Sequence, residues 1–483
     1  MEPADPSLSG LAVALALPLI LGAAFMYNLV GERRRPISLL LGFGYPLGVF
    51  FTSLSLRTWA SLGATPAFWP LCSILVAVSI ALFVLGRRRK APVSFPASDV
   101  STSFPIAVTR AEQLLLSVIV VLLAWRGFGL VSELVWRPLF AWDAWMNWSP
   151  RAIIWFELQE YVSVVNPQAW LEQGDSENLY TLGNKDASDY PKLVPGLIWW
   201  TMLGAGTSDS NLLYLPWALI WCSSGLALFG YLRALGIAFV WALISAYLLL
   251  SMPYLNVHAA LAGYADIWVM AFYGLAILAL SAYFAGAGSA WLVLALLMIV
   301  GCADTKRPGL VLAAMVFLLW LGAWLPIAVG YKVGVMLVTV VVILIGLAVG
   351  IDTELPGLGV VVLSFQEVSL PYLGSSTIEY RPGYLPMLDS MFNMSNWHLL
   401  WYLFIAVIVM ECLRRRLASF LRFELVGTLA LLIFLLAVYS LTDHYDNAIS
   451  HVTLSRTLLY AVIPALAWIP VCLAGLNTGK EHD

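Results

Sequence analysis

Charge is what this sequence has least of: Asp, Glu, Lys and Arg together make up 11% of its 483 residues, against about 25% in an ordinary soluble domain. That scarcity excludes a water-soluble globular protein. Cysteine is sparse too. Cys72, Cys222, Cys302, Cys412 and Cys472 stand singly, which leaves no paired spacing for a zinc site or a disulfide framework. Strand-period alternation is lacking, which removes a membrane β-barrel, and there is no internal repeat, low-complexity tract or appended soluble domain. The opening MEPADPS has no basic n-region and no small-residue cleavage site, so the first apolar segment reads as a retained helix. The net charge of −3 says little by itself, and no nucleic acid is expected as a partner.

What is there is apolar: hydrophobic residues make up 61% of the chain. Apolar runs near the ~20 residues that a helix needs to cross the hydrocarbon core recur throughout, and such helices close their own backbone hydrogen bonds. The expected spans are Leu8 to Val30, Ile37 to Ser55, Phe68 to Leu85, Leu114 to Val131, Leu212 to Leu232, Ile237 to Leu255 and Ile267 to Phe284. Trp291 to Ala303, Leu310 to Leu325, Val333 to Gly350, Leu399 to Met410, Leu425 to Leu441 and Leu458 to Leu473 complete about thirteen. The fold class is therefore an all-α polytopic membrane protein. Pro191 to Gly204 is ambiguous. If it only dips into the membrane, most Lys and Arg, including Arg33 to Arg35, Arg87 to Lys90, Lys332, Arg414 to Arg416 and Lys480, fall on one side; if it crosses, they split almost evenly. The positive-inside rule favours the dip. The N-terminus and the long loops Ser132 to Asn211 and Ile351 to His398 are then outside, and the C-terminus is inside. Residues 1–110 read as N-terminal spans with a cytoplasmic linker, and 111–476 as the remaining membrane unit.

Ionisable groups at membrane depth are costly and so mark function. Four places stand out, all on the outer side in this topology. The first is Trp142-Asp143-Ala144-Trp145 with Arg151, a carboxylate in a tryptophan-rich stretch suited to the bilayer surface. Read blandly, it is an interfacial helix whose Asp143 pairs with Arg151 or Arg137. The second is Asp186 to Lys192, where Asp189-Tyr190-Pro191-Lys192 marks a helix start suited to an anion, or a simple cap. The third is Asp304-Thr305-Lys306-Arg307-Pro308. It follows a span of only about 20 Å, which sinks Lys306 and Arg307 into the outer half of the membrane, as phosphate ligands or as partners of Asp304 or Asp266. The fourth joins Tyr264-Ala265-Asp266 to the segment from Asp443 through His444 and His451 to Arg456.

In this order the residues resemble the GT-C superfamily of membrane glycosyltransferases, in particular bacterial relatives of protein O-mannosyltransferases and of the lipid A aminoarabinose transferase. The resemblance runs from about Trp125 to Arg456. It rests on Trp142-Asp143-Ala144-Trp145, Asp189-Tyr190-Pro191-Lys192-Leu193, Tyr264-Ala265-Asp266, Thr305-Lys306 with Gly309, and Arg456. Lys192 and Arg307-Pro308 depart from the usual pattern. The resemblance implies a GT-C-like bundle of about thirteen helices with interfacial helices in the first large outer loop, set in a bacterial inner membrane with the site facing the periplasm. It implies transfer of a sugar from a polyprenyl-phosphate carrier to a hydroxyl of a lipid, glycan or protein. Asp143 and Asp189 would then be catalytic, Lys306, Arg456 and Lys192 would hold the donor phosphate, and Trp142, Trp145, Tyr190 and Asp266 would line the substrate. No cofactor is expected; a divalent metal near Asp143 and Asp189 is the less favoured alternative, because a monophosphate donor needs less charge compensation.

Two rival readings remain. An O-antigen ligase or polymerase would rely on the late Arg381, His398, His444 and His451. A transporter or flippase would line a path with Asp266, Lys306 and Arg126, though the two related halves common in that class are missing.

Overall fold

The computed structural model describes residues 5–29, 36–88, 109–172, 179–184, 187–326, 338, 341–342, 344–355, 359–371 and 374–474. Arg33, Arg34, Arg35, Arg89, Lys90, Lys332, Lys480, Asp186 and much of the expected span Val333 to Gly350 lie outside these residues. Helices α1 (Leu8–Leu29), α2 (Ile37–Ser61), α3 (Phe68–Arg88) and α4 (Arg110–Trp136) come first. The next long connection holds α5 (Ser149–Leu158), α6 (Pro167–Glu172) and α7 (Leu193–Ala205). Then follow α8 (Pro216–Ala234), α9 (Phe239–Ser251), α10 (Pro253–Ala260), α11 (Asp266–Ala282), α12 (Ser289–Ala303) and α13 (Arg307–Trp324). The later long helices are Leu400–Leu413, Phe423–Leu441, Val452–Leu459 and Val462–Leu473.

Among the described residues, eight helices are long and apolar enough to cross a membrane, and two bent pairs raise the number to ten. The chain is a predominantly helical, polytopic membrane protein. Two of the expected spans are broken. α9 and α10 meet at 56° where Pro253 has no N–H to continue the ladder, and Val452–Leu459 meets Val462–Leu473 at 47°. α12 and Leu400–Leu413 have 15 and 14 residues, about 21–22 Å at 1.5 Å per residue. The ambiguous segment becomes α7, whose 13 residues reach about 20 Å, short of a core of about 30 Å. A further difference is in the two long loops, where an all-α reading has no strands. β1 (Val164–Val165) pairs in parallel with β2 (Tyr180–Thr181), while β3 (Ile351–Leu355), β4 (Gly359–Leu363), β5 (Glu367–Leu370) and β6 (Gly374–Thr377) form an antiparallel sheet in chain order. Strands of two to five residues are stabilised by their neighbours, and so are barely visible in a single stretch of sequence.

Small residues bring the first helices together. A Cβ on Gly22 of α1 would sit 1.8 Å from the Gly44 oxygen of α2, and one on Gly48 would sit 1.6 Å from the Pro18 oxygen. Only glycine permits that approach, the usual device for helix packing in lipid. At the centre stands α11, all 17 of its residues buried. Its first residue is Asp266, so a helix buried along its whole length delivers a carboxylate to its own N-terminus, where the helix dipole favours negative charge.

Away from that end, Arg422 donates to Glu424 at 2.7 and 3.2 Å, with side chains 3% and 0% exposed. Arg422→Ala is expected to destabilise the fold by about 3–5 kcal/mol, because it strands a buried carboxylate. Thermal unfolding in mild detergent measures this; an unchanged midpoint would mean that Glu424 finds another partner.

Candidate functional site

α4 ends at Trp136, and after a short extended segment the chain turns back through Ala141, whose carbonyl accepts from Ala144 N at 2.9 Å. Residues Ala144–Trp148 form a single wide helical turn that runs into α5, where Pro150 occupies the first turn. A small apolar contact docks this turn onto the loop before α11. Ala141, Ala144 and Tyr264 are buried together, flanked by Leu139 and Leu261. Gly263 makes the contact possible: its φ is +83°, and a Cβ there would lie 2.6 Å from that of Ala144.

With the two loops joined, four charges from four separate segments meet. Asp143 Oδ2 accepts from Arg456 Nη1 at 2.8 Å and lies 3.6 Å from Lys306 Nζ. Lys306 in turn donates to both oxygens of Asp266, at 3.0 and 3.1 Å. Tyr460 OH donates to Asp266 Oδ1 at 2.6 Å, and Arg456 Nη2 donates to Tyr264 OH at 3.0 Å, with the guanidinium 4.5 Å from the centre of the Tyr264 ring. Lys306 is extended, capping α13 just after α12 has stopped at Ala303. Burial pulls its ammonium down, but Asp266 and then Asp143 more than offset this and hold it above the ordinary lysine range.

The cluster is graded in exposure. The Asp266 side chain is 1% exposed, whereas Asp143 and Arg456 are 16% and 18% exposed. Asp266 is thus the fixed counter-charge of Lys306, and Asp143 is the acid that a mobile anion would displace. His258 of α10 adjoins the group, its ring edge-on to Tyr264 at 5.8 Å and its buried Nε2 without a partner among the described residues.

The other expected residues are placed nearby but outside this group. Asp189 pairs with Arg307 at 3.2 Å, and that guanidinium lies 5.0 Å over Tyr190, which stacks on Trp148 at 5.2 Å. Lys192 is turned to the Tyr161 ring at 5.6 Å. Trp142 and Trp145 are exposed and meet edge to face at 5.1 Å. Arg151 is not the partner of Asp143: buried, it donates to the carbonyls of Ala187, Ser188 and Tyr190, and so holds the Asp189 turn. Burial brings its guanidinium down to about 10, with Tyr161 and Asp189 acting in the opposite sense. Arg137 pairs with Glu133. Asp304 is taken by Arg57 of α2 and accepts Lys192 N at 3.4 Å. In the late loop, Arg381 pairs with Glu379 and Asp446, His444 meets Ser376 at 3.3 Å, and His451 lies 3.1 Å from Asp389.

Sequence reasoning missed Tyr460, His258 and Arg57. Tyr460 had a signal, since it follows Arg456 by four residues and so shares its helix face; Arg57, an arginine inside an apolar run, had one as well. No protein-family model, curated protein or solved structure matches the chain.

Proposed function

We propose that this protein is a GT-C-like membrane glycosyltransferase that moves a sugar from a polyprenyl-phosphate donor to a hydroxyl acceptor at the outer surface of the membrane. The observation that carries the reading is the meeting of Asp143, Lys306, Asp266 and Arg456 at 2.8–3.6 Å, because it sets two cations beside one exchangeable carboxylate.

The chemistry follows from that arrangement. The donor phosphate displaces Asp143 from Lys306 and Arg456, while Asp266 keeps Lys306 in place. The carboxylate so released takes the proton of the acceptor hydroxyl. The acceptor oxygen forms its bond to the anomeric carbon through an oxocarbenium-like state as the bond from that carbon to the phosphate oxygen breaks. The electron pair leaves on the phosphate, and the two cations stabilise the growing charge. No proton donor is required for such a leaving group. In this mechanism Asp266 is a positioning residue, Trp142 and Trp145 contact the lipid surface or the acceptor, and the pair Asp189 and Arg307 shapes the acceptor side.

The test is reconstitution of the full-length protein in proteoliposomes with synthetic polyprenyl-phosphate sugars. Release of free polyprenyl phosphate together with a glycosylated acceptor is the expected result. Movement of the lipid or the sugar across the bilayer with no cleavage of the sugar-phosphate bond would assign the cluster to transport instead.

A further inference from the structure

α10 has two faces. Tyr254 and His258, four residues apart, look toward the charged cluster: His258 meets Tyr264, and Tyr254 OH donates to Val452 O at 3.4 Å on the helix of Arg456. Asn256 and Ala260, roughly opposite at 100° per residue, line a separate cavity of about 220 Å³ shared with Trp125, Arg126 and Glu133 of α4. α4 is a lipid-facing helix, only 11% buried over its apolar stretch.

The polar groups of this cavity are incompletely used. Arg126 has one hydrogen bond among the described residues, Nη2 to Ser251 O at 3.4 Å, although a guanidinium carries five donors. A cation on a lipid-facing span calls for an anion. Asn256 commits Nδ2 to the carbonyls of Leu250 and Met252 at 2.9 and 2.7 Å, which fixes its amide on α10 beside the Ser251 carbonyl. Glu133 lies seven residues beyond Arg126, about 10 Å nearer the Trp136 end of the helix, with Arg137 at 2.6 Å. The cavity therefore offers a cation at depth and a carboxylate about 10 Å nearer the membrane surface. A phospholipid headgroup presents the complement: its phosphate lies nearer the acyl chains, and its terminal group lies nearer water.

We propose that this cavity binds the headgroup of an aminophospholipid, with the phosphate on Arg126 and the primary ammonium on Glu133. A primary ammonium is specified because the carboxylate accepts hydrogen bonds from N–H donors, which a quaternary choline lacks. The site is distinct from the charged cluster, from which α10 separates it, and does not depend on the glycosyltransferase reading.

Native mass spectrometry of the full-length protein, released from nanodiscs of equal phosphatidylethanolamine, phosphatidylcholine and phosphatidylglycerol, tests the assignment. Retained phosphatidylethanolamine should exceed phosphatidylcholine, and Arg126→Gln should lower its retention about tenfold or more, the size of a lost charge-assisted contact. Glu133→Gln should keep a phospholipid bound but remove the preference for ethanolamine over choline, which provides a readout even if Arg126→Gln fails to fold. Equal retention of the three lipids by the wild type, or unchanged phosphatidylethanolamine in Arg126→Gln, would overturn the proposal. So would a polyprenyl-phosphate sugar that displaces phosphatidylethanolamine from the wild type, since the cavity would then be a donor path.

Discussion

Lys306→Ala is expected to lower sugar transfer about 10²–10³-fold, the usual cost of removing one donor that stabilises charge in a transition state. The same change leaves Asp266 buried beside Tyr460 with no cation bonded to it, which destabilises the fold by about 3–5 kcal/mol. Loss of activity and loss of folded protein are therefore entangled in the single variant. The double variant Lys306→Met with Asp266→Asn separates them, because it removes both charges together and leaves none stranded. Its unfolding midpoint in detergent should recover toward the wild type while transfer stays low. Wild-type turnover by folded Lys306→Ala protein would remove Lys306 from the mechanism.

Asp143→Asn should also reduce transfer about 10²–10³-fold, for a different reason: the amide keeps the shape and one acceptor for Arg456 but cannot take a proton. Its effect on donor binding has the opposite sign. Asp143 Oδ2 holds Arg456 at 2.8 Å and Lys306 at 3.6 Å, and in the proposed mechanism it competes with the donor phosphate for both. Without that charge, polyprenyl phosphate should bind more tightly than to the wild type, as titration into nanodisc-embedded protein would measure. Weaker binding in step with weaker catalysis would place Asp143 among the donor's own contacts and end its assignment as an exchangeable base.

Much of the candidate site was legible because apolar surroundings make charge conspicuous. Asp143 stood among tryptophans, Asp266 opened an apolar span, and Lys306 followed a span too short to carry it clear of the membrane, a span that is 15 residues long. The partnerships were legible only in part: Asp266 was one of two acids offered to Lys306 and Arg307, and it pairs with Lys306. Lys306 and Arg307 are adjacent yet turn to different acids, Asp266 and Asp189, because one caps α13 with an extended backbone while the other begins its first turn. Asp304 had Lys306 and Arg307 close by in the sequence, and it pairs instead with Arg57, 247 positions away. The bend after Ser251 was hidden inside the run Ile237 to Leu255, read as a single span, and the bend after Leu459 falls at the very start of the expected span Leu458 to Leu473.

Composition and periodicity alone determined that this is a membrane protein of many helices and which few ionisable residues interrupt its apolar background, since both follow from the cost of placing charge and unpaired backbone in lipid. Tertiary structure alone decided that Asp143 shares Arg456 and Lys306, that Asp266 is sealed behind them, and that Arg126 fronts a cavity of its own. Those outcomes depend on separations of a few ångströms and on local exposure, and Coulomb energy varies with both; neither is written in residue order.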